Sequence, residues 1–116
     1  MTFEEIKALD HQYVMQSYGR FDVAVDHGRG ATLWDTQGRE YIDFTSGIGV
    51  CSLGYADEGW VNAITEQAGK LGHISNLFYA EPYVKAAERL CRKAGMSNVF
   101  FANSGAESNE GLIKLA

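Results

Sequence analysis

Asn98-Val99-Phe100-Phe101-Ala102-Asn103-Ser104-Gly105-Ala106-Glu107 opens on an apolar run and closes on a polar helix start. The run from Ser97 to Ala102 has the length and residue types of a strand buried on both faces. Asn103-Ser104-Gly105-Ala106 is a tight loop, and Glu107 to Ala116 places Leu112, Ile113 and Leu115 in a helical pattern. Strand, tight loop and helix in that order open an α/β sandwich, whose sheet needs further strands. The spacing therefore predicts an α/β fold of which these residues are one corner.

The same loop carries the sharpest chemistry. The first amides of a helix have no intrahelical partners and, with the helix dipole, attract an anion. Gly105 lets the backbone approach an oxyanion, Ala106 keeps the approach open, and the Ser104 hydroxyl can add a hydrogen bond. The plainer reading stands beside it: Ser104 as an N-cap and Gly105 as a turn glycine. Neither a P-loop nor a GxGxxG dinucleotide fingerprint is present.

Thr2 to Met15 reads as a helix with Thr2 as N-cap and Glu4 and Glu5 in its first turn. Three short strands follow, Phe21 to Asp26, Ala31 to Asp35 and Arg39 to Phe44, joined by turns at Gly28-Arg29-Gly30 and Asp35-Thr36-Gln37-Gly38. Short strands with tight turns predict an antiparallel meander. Ser46 to Val50 is a small-residue stretch that leads to Leu53-Gly54. Asp57 to Leu71 is expected to be helical, His73 to Ala80 an aromatic loop, and Glu81 to Ala94 a second helix. That second helix has Pro82 in its first turn and ends at Gly95.

With 116 residues, 46% hydrophobic and 22% charged, the chain has an ordinary globular composition. A net charge of −5 leaves no basic footprint, so nucleic acid and anionic membranes are not expected partners. Cys51 and Cys91 form no CxxC pair and stand in no His/Cys cluster, so neither a metal site nor a disulfide framework is expected. The first ten residues lack the charge pattern of a signal peptide, and no stretch has the apolar length of a membrane span. The cytoplasm is the expected compartment. The sequence stops at Ile113-Lys114-Leu115-Ala116 without a helix stop signal, as a truncated reading frame would.

Several collinear stretches carry a resemblance. Asn103-Ser104-Gly105-Ala106-Glu107-Ser108-Asn109-Glu110, the meander Gly30 to Phe44 with its Trp34-Asp35 and Tyr41-Ile42-Asp43-Phe44, and Gly47-Ile48-Gly49-Val50 with Leu53-Gly54 resemble the class III (ornithine-type) aminotransferases. His73-Ile74-Ser75-Asn76-Leu77-Phe78-Tyr79 is similar to the acetylornithine branch of that family. The matches run from about Tyr18 to the last residue.

The resemblance implies the fold type I architecture of enzymes that use pyridoxal 5'-phosphate (PLP). Residues 1–46 would then belong to the small domain, as N-terminal helix plus meander. Residues 47–116 would begin the large PLP-binding domain, left incomplete. It implies that Ser104, Gly105 and Ala106 hold the cofactor phosphate and that Tyr18, Gly47, Ile48 and Val50 contact the substrate. It also implies a homodimer with Ser75, Asn76 and Phe78 near its interface. Two departures stand out. Tyr55-Ala56-Asp57-Glu58 replaces a commoner His-x-His-Pro, with Asp57 able to cap the next helix, and Ala106 replaces a commoner threonine.

Transamination needs a lysine bonded to the cofactor and an acid beside its pyridine nitrogen. Lys7, Lys70, Lys85, Lys93 and Lys114 all fall on expected helices, so no catalytic residue is assigned here and the chain alone is expected to be inactive. The expected reaction of the full protein moves an amino group from N-acetylornithine to 2-oxoglutarate, in arginine biosynthesis. Succinylornithine, ornithine or 4-aminobutyrate as donor, or aminomutase chemistry, are the enzymatic alternatives. A non-catalytic fragment that binds an anion or a partner chain is the alternative of another class.

Overall fold

The computed structural model describes all 116 residues, Met1–Ala116. The chain forms two compact units, Met1–Lys70 and Leu71–Ala116.

The first unit begins with helix α1, Phe3–Tyr13. Its start is a capping box: Thr2 Oγ1 accepts from the Glu5 amide at 3.3 Å while Glu5 Oε2 accepts from the Thr2 amide at 2.9 Å. Two ion pairs tie the following segment back onto the helix, Lys7–Asp22 at 2.7 Å and Arg20–Asp10 at 3.3 Å. Strands β1 (Val25–Arg29), β2 (Thr32–Asp35) and β3 (Glu40–Ile42) then form an antiparallel meander in the order β1-β2-β3. β1 starts later than the alternation at Phe21–Asp26 suggests, and Gly28 and Arg29 belong to the strand rather than to the turn. The reason lies in the pairing: His27 faces Trp34, their rings stack 5.0 Å apart, and Gly30 with φ 58° takes the left-handed corner.

Asp35 holds the second corner. It is the one buried residue, 4% exposed, and its carboxylate accepts from the Gln37 and Arg39 amides, from Arg39 Nε at 2.7 Å and from the Tyr41 hydroxyl at 2.9 Å. Burial pushes this carboxyl up, but the donors from Arg39, Tyr41 and Gln37 outweigh it and hold the group well below the usual carboxylate range. The expected Asp35–Gly38 turn closes with Gly38 N donating to Asp35 O at 2.9 Å.

After β3 the chain makes a single short turn, α2 (Ser46–Gly49), and then helix α3, Glu58–Lys70. Asp57 caps α3 through Trp60 N at 2.8 Å, the role expected of it.

The second unit holds α4 (Glu81–Ala94) and α5 (Gly105–Leu115). α4 has Pro82 in its first turn and ends on Gly95 at φ 67°. α5 begins two residues before Glu107 because Ser104 is its cap.

Ser97–Ala102 differs from expectation, for it pairs with no strand and runs as irregular backbone. A strand exists through hydrogen bonds to a neighbour, and apolar character alone does not supply one. Its aromatic residues pack locally instead: Phe101 lies 5.2 Å from Tyr83 of α4, and Phe100 lies against Gly111 of α5. No apolar side chain in either unit is fully buried, and Phe44, at the end of the meander, is 92% exposed.

Candidate functional site

Ser104, Gly105 and Ala106 come together at the start of α5. Ser104 is extended, at φ −145° and ψ 160°, and its hydroxyl accepts from Glu107 N at 3.2 Å. The amides of Gly105 and Ala106 are the first two of the helix and have no intrahelical acceptor. A Cβ at Gly105 would meet nothing within 4 Å, so no side chain of the unit packs against that position. They can donate two hydrogen bonds to one anion, with the helix dipole behind them.

Glu107 completes this helix start and was not anticipated. Its Oε2 accepts from Asn103 N at 2.7 Å and from the Ser104 hydroxyl at 3.3 Å. The signal was the S-x-x-E spacing of a capping box, Ser104 to Glu107. The carboxylate orders the loop, and its negative charge opposes a bound anion. A hollow of about 320 Å³ lies along the same helix, lined by Phe100, Phe101, Asn103, Glu107 and Lys114 among others, but not by Ser104, Gly105 or Ala106.

Gly47, Ile48 and Val50 lie on or next to α2. The turn is left-handed: Ser46, Gly47, Ile48 and Gly49 have φ of 49°, 58°, 61° and 80°. Glycine adopts this conformation freely, whereas Ser46 and the β-branched Ile48 each cost roughly 1–2 kcal/mol there. A Cβ at Gly47 would also stand 3.1 Å from Cys51 Sγ. Ile48 is 94% exposed, so packing within the chain does not offset the strain.

Hydrogen bonds do. Asp43 Oδ1 accepts from Thr45 N at 2.7 Å, Thr45 Oγ1 at 2.6 Å and Ser46 N at 3.1 Å. Asp43 Oδ2 accepts from the Tyr55 hydroxyl at 2.7 Å. The Thr45 hydroxyl, the Tyr55 phenol and the Thr45 amide hold the Asp43 carboxyl down at about 2. In return the Asp43 carboxylate, aided by burial, pushes the Tyr55 phenol up to about 12. In the sequence Asp43 stands only as part of the meander motif, and Tyr55 as a departure from histidine. That departure was the signal for this contact.

Tyr18 sits elsewhere, in the wall of a hollow of about 440 Å³ beside α1 that none of Gly47, Ile48 and Val50 lines. Ser75 turns the aromatic loop, accepting at its carbonyl from Phe78 N at 3.0 Å, and Phe78 is exposed. All five lysines lie on helices: Lys7 on α1, Lys70 on α3, Lys85 and Lys93 on α4, and Lys114 on α5. No group of three or more His, Cys, Asp or Glu residues is placed to hold a metal ion. No helix is long and apolar enough to cross a membrane.

Comparison with known proteins agrees with the resemblance read from the motifs. The family model described as aminotransferase class-III matches residues 13–116. An acetylornithine aminotransferase of Haemophilus ducreyi is 54% identical over 116 residues, 100% of this chain and 30% of the relative. One of Wolinella succinogenes is 55% identical over 111 residues, 95% of this chain and 28% of the relative. The crystal structure of the acetylornithine aminotransferase of Elizabethkingia anophelis superposes with a TM-score of 0.93 at 30% identity, over 99% of this chain and 30% of that one. The chain thus spans about 30% of the length of the relatives it matches.

Proposed function

The chain belongs to the class III aminotransferases, and on that premise we propose that, within a protein of its relatives' length, it serves the transfer of an amino group from N-acetylornithine to 2-oxoglutarate. The products are N-acetylglutamate semialdehyde and glutamate, and the setting is arginine biosynthesis in the cytoplasm. The observation that carries this reading is the identity of 54% to an acetylornithine aminotransferase across the whole chain.

Pyridoxal phosphate, when bound, would supply the electron sink that makes a proton removable from the carbon bearing the transferred amino group, the terminal carbon of N-acetylornithine. This chain's part is to hold the phosphate. The amides of Gly105 and Ala106 would donate to its oxygens, with no side chain packed against Gly105 to crowd them. The Ser104 hydroxyl joins by giving up its 3.3 Å bond to Glu107. Ala106 contributes an amide and no hydroxyl. Gly47, Ile48 and Val50 form a wall of the donor pocket; Tyr18, which lines a separate hollow beside α1, is assigned to its entrance on the family resemblance.

In this reading the lysine that bonds the cofactor and the acid beside its ring lie outside these 116 residues, and the chain alone is inactive. Residues 1–46 belong to the small domain and 47–116 to the large one. The working unit is a homodimer with Ser75, Asn76 and Phe78 near the subunit interface.

The test is direct. The full-length protein, supplied with PLP and 2-oxoglutarate, is given N-acetylornithine, succinylornithine, ornithine and 4-aminobutyrate in turn, and glutamate is measured. The expected result is the highest kcat/KM with N-acetylornithine. Preference for another donor moves the substrate assignment within the family, and no glutamate from any donor refutes the reading.

A further inference from the structure

Asp43 and Tyr55 belong to none of the residues assigned above, yet they link the two ends of the turn that carries Gly47, Ile48 and Val50. Four successive left-handed residues, two of them not glycine, form a conformation that an unrestrained chain leaves. On the entering side, Asp43 takes Thr45 N, Thr45 Oγ1 and Ser46 N on one carboxylate oxygen. On the leaving side, the Tyr55 hydroxyl reaches the other oxygen at 2.7 Å.

Both ends are also anchored to one corner of the meander. Asp43 N donates to Ala31 O at 2.8 Å, Tyr55 N to Gly30 O at 2.8 Å, and Gly30 N to Tyr55 O at 2.9 Å. Tyr55 fits there because residue 28 has no side chain. A Cβ at Gly28 would stand 2.7 Å from Tyr55 Cγ. Inside this frame, Gly49 N bonds Thr45 O at 3.1 Å and Cys51 N bonds Ser46 O at 2.8 Å. Ile48 and Val50, 94% and 82% exposed, are held outward with no packing of their own within the chain.

We propose that Asp43 and Tyr55 are positioning residues that clamp the left-handed turn Ser46–Gly49 and so set the wall of the amino-donor pocket. The pocket part of this proposal rests on the aminotransferase reading above. The clamp rests on the hydrogen bonds alone. Its mechanism is preorganisation: the strained turn is held in its binding shape before the donor arrives.

The test uses the full-length, PLP-loaded protein and Tyr55→Phe, which removes one hydroxyl and keeps the ring over Gly28. Two readouts are taken. Amide exchange of Gly49 and Cys51 is expected to quicken about tenfold as the turn opens more often. KM for N-acetylornithine is expected to rise about fivefold, with kcat per bound PLP changed less than about twofold. Asp43→Asn is expected to shift both readouts in the same direction.

Unchanged exchange in Tyr55→Phe overturns the clamp. Faster exchange with an unchanged KM, or with loss of PLP occupancy alone, shows a merely structural role and overturns the positioning claim. If the unsubstituted protein turns over no amino donor, the functional reading fails and the pocket claim with it, while exchange still decides the clamp.

Discussion

At the scale of single residues, the Asp43–Tyr55 contact has a pH window that follows from its two shifts. The Asp43 carboxyl is held at about 2, below its ordinary 3.8. Its contribution is therefore complete above the ordinary value and lost as pH falls toward 2. The Tyr55 phenol is raised from 10.0 to about 12. Its contribution is complete below the ordinary value and lost as pH rises toward 12. Exchange at Gly49 and Cys51, corrected for intrinsic rates, should therefore be flat between about pH 5 and pH 9 and quicken outside that range. A step near neutrality, measured by mass spectrometry, would contradict it. Gly28 supplies a second test. Its added Cβ would crowd Tyr55 Cγ at 2.7 Å and Leu33 Cδ2 at 2.8 Å. The Leu33 end can swing away, but the Tyr55 atoms sit too near the backbone to do so. Gly28→Ala should destabilise the full-length protein by about 1–3 kcal/mol in urea titration, with the spectrum of bound PLP retained. The glycine was visible in the sequence. Its reason was not, because the ring it accommodates comes from residue 55.

At the scale of elements, what was legible followed from local chemistry. Glu81–Ala94 was readable to its ends because Pro82 and Gly95 mark both boundaries. The capping residues Thr2, Asp57 and Ser104 were readable for the same reason. Ser97–Ala102 was not, since its expected pairing depends on residues far away in sequence. The left-handed turn at Ser46–Ile48 was equally hidden, because Ser and Ile give no local sign of positive φ. The start of α5 was legible as an anion site or a plain cap, and one substitution separates the two. Gly105→Pro suits the first helical position and follows an extended residue, so the helix start is preserved. It removes one amide donor. Gly105→Ala keeps the donor and serves as the control for bulk. If the amide holds the cofactor phosphate, Gly105→Pro should raise the Kd for PLP about tenfold or more beyond the control, a charge-assisted bond being worth about 1.5–3 kcal/mol. PLP absorbance and fluorescence titration of the full-length protein measure it. Equal Kd values for the two variants would leave Ser104 and Gly105 as a cap and a turn.

At the scale of the whole chain, the balance of apolar burial decides behaviour. In the first unit Phe21 is 94% exposed, and in the second Leu77 is 87% exposed. Full burial of one such side chain is worth about 1.5–3 kcal/mol, and here that gain is not realised. Both units carry many exposed large apolar side chains, and where such side chains form contiguous patches they mark sites of association. Proteins of this family with the full length of the relatives have additional chain available to cover it, for these residues span about 30% of that length. Produced alone, the 116 residues should bind a hydrophobic dye strongly and elute in gel filtration well above 12.8 kDa. The full-length protein at equal molarity should bind far less dye per chain. A sharp 12.8 kDa peak with weak dye binding and cooperative unfolding would mean that the two units satisfy their own apolar faces. That outcome would favour the binding-module alternative for the isolated chain. Self-association with strong dye binding would mean that these faces were shaped to meet further protein.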